Sequence, residues 1–143
     1  ADLGEQPAEA ILREIGEPRL RGMLRLAGYI PNSDLPAIYN RASAFLYTSL
    51  RESFGIPQLE AMACGTPVVT SATSAIPEVA GQGAILVDPT DPTAIADALL
   101  RLETDAEFRA GQVAYGLERV KQFSWEKTAR HLLALYESLG KTN

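Results

Sequence analysis

Leu24–Gly28 reads as a strand, and three short apolar runs follow it: Ala44–Thr48 (AFLYT), Pro67–Thr70 (PVVT) and Ala84–Val87 (AILV). Their apolar positions are consecutive rather than alternating, the pattern of strands buried on both faces. Helical stretches separate them. Residues 7–16 predict a helix with Gly16 just past its end. A second helix runs from Asn32 or Ser33, either of which can cap it, to about Ala42. A third covers 57–64, with Pro57 at its first position and Gly65 just beyond. Asp91-Pro92 opens a helix over 93–103, and helices over 105–121 and 125–139 follow, the last capped by Ser124 and stopped by Gly140. Strands alternating with helices predict an α/β domain, a parallel sheet with helices on both faces. Residues 1–143 read as one domain. Its sheet lies within 20–90, and 91–143 form a helical tail that caps the sheet or crosses to another domain.

Composition narrows the function. An apolar fraction of 46% with 22% charged residues is globular. A length of 143 residues leaves no room for a complete two-domain enzyme. The net charge of −5 provides no basic face, so nucleic acid is not an expected partner. No apolar run reaches the ~20 residues of a bilayer span, and no leader opens the chain, so a cytoplasmic compartment is expected. Cys64 and His131 are each the only residue of their type, too few for an ordinary zinc site. His131 sits beside Leu132 and Leu133 in a helical stretch, which argues against a Ser-His-Asp triad. No P-loop occurs. Gly81-x-Gly83 precedes a strand rather than following one, against a dinucleotide oxidoreductase.

The segment Ser49–Thr70 carries the chemistry. A strand ends at Thr48, a loop with Ser53 and Gly55 follows, and a helix opens at Pro57. In open α/β sheets ligands bind beyond the carboxyl ends of strands, and a helix N-terminus offers free N–H groups to an anion such as phosphate. Glu52 and Glu60 flank the loop with seven residues between them. Carboxylates touching a phosphate would repel it, so they point at neutral hydroxyls, and a carboxylate accepts from both hydroxyls of a vicinal diol. A diphosphate with a sugar on each side, a nucleotide sugar, meets these demands. On spacing alone a second reading stands: Glu60 is favourable in the first turn of any helix, and Glu52 is a solvated loop residue.

The run E-S-F-G-I-P-Q-L-E-A-M-A-C-G-T-P-V-V (Glu52 to Val69) closely resembles the signature of the retaining glycosyltransferases of family 4, group 1. The resemblance extends to LRLAGYIP (24–31), DLPAIYN (34–40), SAIPEV (74–79), GAILVDP (83–89) and Phe123-Ser124-Trp125, covering roughly 20–136. It implies the Rossmann-like carboxyl-terminal domain of a GT-B protein. Glu60 would hold the ribose of the donor, and Glu52, the catalytic-site residue, would contact the transferred sugar. Ser53, Phe54, Gly55 and Ile56 would line the sugar and diphosphate. Tyr29 and Ile30 would border the base, although Tyr29 reads equally well as a surface aromatic. The resemblance implies no metal and no cofactor, and peripheral membrane association of the full enzyme.

Beside these, Met62 reads as core, Cys64 as a buried small group, Glu78 as a helix start, Arg51 as an exposed loop residue, and Phe123 and Trp125 as packing for the last helix. The family's glycine-rich first loop and its diphosphate-binding Arg and Lys have no counterpart here. The expectation is a domain lacking its first two strands and the acceptor-binding amino-terminal domain, inactive in sugar transfer by itself. The 24–28 strand then pairs directly with 44–48, or the sheet keeps exposed edges open to self-association. Two alternatives are a non-catalytic nucleotide-sugar-binding module and an association module.

Overall fold

The apolar runs at 44–48, 67–70 and 84–87 become the strands β1 (Phe45–Tyr47), β2 (Val68–Ser71) and β3 (Ile85–Val87) in a computed structural model that describes residues 5–140. The helices are α1 (Glu5–Ile15), α2 (Leu35–Arg41), α3 (Ile56–Ala63), α4 (Ile76–Ala80), α5 (Pro92–Thr104), α6 (Ala106–Val120) and α7 (Trp125–Gly140), with a 3-10 turn at Pro18–Gly22. The chain divides after Leu35 into two compact units. The first contains α1 and the 3-10 turn, which pack on each other.

The Leu24–Gly28 strand expected from the sequence is not formed. These residues are irregular, and Leu24 and Leu26 are exposed. A strand exists only through a ladder with a neighbour, and apolar character does not supply one. The sheet therefore has three strands among the described residues rather than four.

In the second unit the order is β1-β2-β3, all parallel, with Phe45 opposite Val68 and Val69 opposite Ile85. All four residues of the central strand β2 are buried, as its unbroken apolar run demands. Val69 and Val87 meet Leu102 of α5 in a core completed by Ala98, Leu99 and Phe108. Burying a leucine such as Leu102 contributes about 1.5–3 kcal/mol. α3 and α4 also pack on β2, and α6 packs on α3 and α5. Met62 is 1% exposed, in the core as expected, and Cys64 is half-buried.

Caps fix where the later helices begin. The Asp91 carboxylate accepts from the Thr93 and Ala94 N–H groups at 2.9 and 3.1 Å, and Asp105 accepts from Phe108 N–H at 2.9 Å. Ser124 Oγ accepts from Lys127 N–H at 3.1 Å, the cap anticipated for α7. Only part of the helical tail stands apart: α5 and α6 are integral to the layers, whereas α7 has no buried residue. Trp125 is 81% exposed, so the expectation that it packs the last helix is not met.

Candidate functional site

β1 delivers the chain to its carboxyl end at Tyr47, and the segment from 48 to 55 carries it over to α3. Hydroxyls from β2 and the loop beyond it lace this segment down. Thr70 Oγ1 donates to Tyr47 O at 2.9 Å, and Ser71 Oγ donates to Ser49 O at 2.6 Å. Ser74 Oγ donates to Glu52 O at 2.7 Å and accepts from Glu52 N–H at 3.2 Å. One serine thus satisfies both backbone groups of the first signature glutamate.

Gly55 then turns the chain into α3 at φ 86°, a left-handed conformation that a side chain penalises. A Cβ there would lie 2.9 Å from Gln58 Nε2. The fully buried Gln58 donates from Nε2 to Phe54 O at 3.3 Å, and its Oε1 has no partner. No side chain caps α3 at Gly55, and Pro57 stands in its first turn. The first N–H groups of this helix carry partial positive charge.

Each signature carboxylate meets a tyrosine. Tyr47 donates its hydroxyl to Glu52 Oε1 at 2.5 Å, and Tyr39 donates to Glu60 Oε2 at 3.3 Å. Burial pushes the Tyr39 hydroxyl up to about 12, helped by the Glu60 charge and hydrogen bond. Burial likewise pushes Tyr47 up to about 12, helped by its hydrogen bond to Glu52 and the charge there. Phe45 lies between the two rings, edge-on to Tyr39 at 5.2 Å and stacked on Tyr47 at 5.9 Å.

Of the residues singled out in the sequence, Glu52, Ser53, Phe54, Gly55, Ile56 and Glu60 lie together around the start of α3. Glu52 is half-buried, Gly55 buried, and Ser53, Phe54, Ile56 and Glu60 exposed. Tyr29 and Ile30 belong to the first unit, where Tyr29 is 81% exposed. Arg51 is exposed and Glu78 sits in the first turn of α4, both as expected. Tyr39, Tyr47, Gln58 and Ser74 were not foreseen. Tyr39 and Ser74 are 21 and 22 residues from the glutamates they serve, beyond any local spacing rule. Tyr47 leaves a faint trace, a polar-tipped residue at the end of an apolar run five positions before Glu52.

A groove of about 670 Å³ runs along α3, lined by Phe54, Ile56, Glu60, Val120, Phe123 and Trp125 among others. Phe123 meets Phe54 edge-on at 5.7 Å. Phe123 therefore does pack, but against the loop, and Trp125 forms part of the groove wall. Among the described residues, no group of three or more His, Cys, Asp or Glu could hold a metal ion, and no helix is long and apolar enough to cross a membrane.

A family model described as "Glycosyl transferases group 1" matches residues 3–119. The chain is 42% identical over 118 residues to the O-antigen chain mannosyltransferase B of Escherichia coli, covering 82% of this chain and 31% of that protein. It is 37% identical over 133 residues to the D-inositol 3-phosphate glycosyltransferase of Corynebacterium urealyticum, covering 92% of this chain and 31% of that one. Among solved structures, the sucrose-phosphate synthase of Thermosynechococcus elongatus superposes with a TM-score of 0.83 at 30% identity, over 96% of this chain and 35% of the other. The chain thus spans about a third of the length of the curated relatives it matches.

Proposed function

The chain belongs to the glycosyl transferase group 1 family, and we propose that it forms the part of such an enzyme that binds the nucleotide-sugar donor. The observation carrying this reading is the start of α3. A left-handed Gly55 opens a helix whose N-terminus no side chain caps, and Glu52 and Glu60 stand on either side of that opening. N–H groups at a helix start suit a diphosphate, and they stabilise it most as charge builds on the departing nucleoside diphosphate. The carboxylates then serve neutral hydroxyls, Glu52 those of the transferred sugar and Glu60 those of the ribose. Phe54, Gly55 and Ile56 line the diphosphate and sugar, with Ser53 beside them.

In this reading the whole enzyme moves a hexose from a UDP- or GDP-sugar to an acceptor, with retention of configuration and without a metal. The O-antigen chain mannosyltransferase among the relatives supports polysaccharide or lipopolysaccharide synthesis as the setting. Acceptor contacts come from outside this chain, so the chain by itself binds donor weakly and transfers no sugar.

Calorimetry on the 143-residue chain with UDP, GDP, UDP-glucose and GDP-mannose tests this. Binding of at least one pair is expected, with Glu60→Ala weakening nucleotide affinity by about tenfold, the value of one charged hydrogen bond. Unchanged affinity in Glu60→Ala removes the ribose assignment. Binding of none of the four sinks the donor reading in favour of an association module.

A further inference from the structure

We propose that Tyr47 and Tyr39 are positioning residues for the donor, each holding one oxygen of a signature carboxylate so that the other oxygen is left to accept from a ligand hydroxyl. The inference rests on the donor-site reading above and adds to it the means by which the two glutamates are aimed.

A glutamate side chain has several rotatable bonds, and a loop or helix-surface glutamate in water samples many directions. Here both are tethered from rigid elements. Tyr47 is the last residue of β1, its carbonyl held by Thr70, and its hydroxyl reaches Glu52 Oε1 at 2.5 Å, the length of a charge-assisted O–H···O⁻ bond. Tyr39 lies on α2, 8% exposed, its carbonyl accepting from Thr66 Oγ1 at 2.5 Å, and its hydroxyl reaches Glu60 Oε2. Phe45 contacts both rings, so neither phenol can swing without disturbing the other. With Oε1 of Glu52 and Oε2 of Glu60 engaged, each carboxylate keeps one oxygen for a ligand. Both phenols stay protonated, and so remain donors, far above neutral pH.

The two tethers differ in length. The Glu52 bond is short, while the Glu60 bond, at 3.3 Å, is at the long edge of hydrogen-bond geometry. The roles differ too, Glu52 facing the transferred sugar and Glu60 the nucleoside. Tyr→Phe variants therefore separate along two axes that a general loss of stability would not separate.

The test is calorimetry on the full 143-residue chain with UDP-glucose beside UDP, and GDP-mannose beside GDP. Tyr47→Phe is expected to cut the preference for nucleotide sugar over free nucleotide by about tenfold while leaving affinity for free nucleotide unchanged. Tyr39→Phe is expected to lower both affinities together by about threefold, with the preference intact. Each phenylalanine keeps the ring that packs on Phe45. A double-mutant cycle supplies a second measurement: in a Glu52→Ala background, Tyr47→Phe has no further effect on the preference. The proposal is overturned if the wild-type chain binds and Tyr47→Phe leaves the preference intact. It is equally overturned if Tyr47→Phe acts as strongly without Glu52 as with it. A wild-type chain that binds none of the four ligands overturns the donor reading itself and the positioning role with it.

Discussion

Replacing Gly55 by alanine perturbs the one backbone position on which the entry to α3 turns. Two costs add. The left-handed conformation at φ 86° costs an L-residue about 1–2 kcal/mol. The new Cβ would also lie 2.9 Å from Gln58 Nε2, too close for the amide to stay where it is. Displacing that amide breaks its bond to Phe54 O, and Gln58 is fully buried, so no water replaces the lost partner. Leaving such a group unsatisfied costs about 1–3 kcal/mol. The sum is about 2–5 kcal/mol. Gly65 is the internal control: it has φ 72° but nothing nearer than 3.9 Å to a built Cβ, so Gly65→Ala should cost only about 1–2 kcal/mol. Urea unfolding of the two variants, compared at equal slope, measures the difference. In a Gln58→Ala background the excess at Gly55 should vanish. Equal losses at Gly55 and Gly65, or an excess that survives removal of Gln58, would refute the steric argument.

Further outcomes follow from the same contacts. Leu102→Ala, at a position 1% exposed in the central core, should lower unfolding free energy by about 2–5 kcal/mol in urea. Asp91→Ala removes the acceptor for two N–H groups at the start of α5 and should cost about 1 kcal/mol by the same assay, with the loss recovered in Asp91→Ser. Tyr39 and Tyr47 have hydroxyls raised to about 12 in the folded chain, above the unfolded value of 10, so the stability they contribute is complete below pH 10 and is lost as pH rises towards 12. Ultraviolet titration should find two tyrosines that ionise only at the upper end of that window, one of them missing in each Tyr→Phe variant.

The elements legible in the sequence were those set by local rules. Pro57 and Gly65 bracketed α3 to within a residue, Asp91 and Ser124 marked caps that are present, and the run PVVT announced a strand buried on both faces. Glu52 and Glu60 were legible because a loop and one helix hold them at fixed chain separation. Non-local closure was hidden. The tyrosine under Glu60 arrives from a helix 21 residues earlier, and Ser74 reaches Glu52 from beyond β2, contacts that depend on how β1 and β2 register. Leu24–Gly28 failed for the converse reason: its composition is that of a strand, but strand formation belongs to a pair of segments, not to one.

The lacing of the loop between β1 and α3 has a kinetic consequence. Hydroxyls of Thr70, Ser71 and Ser74 hold its backbone at Tyr47, Ser49 and Glu52, and Gln58 holds it at Phe54. Immobilising a backbone residue costs about 1–2 kcal/mol in entropy, and here that ordering is completed during folding rather than on ligand arrival. The loop is a preorganised wall, not a lid. The Glu52 amide, bonded to Ser74 Oγ, should resist hydrogen exchange equally well with and without ligand, and protection that appears on ligand binding should be confined to the uncapped N–H groups at the start of α3.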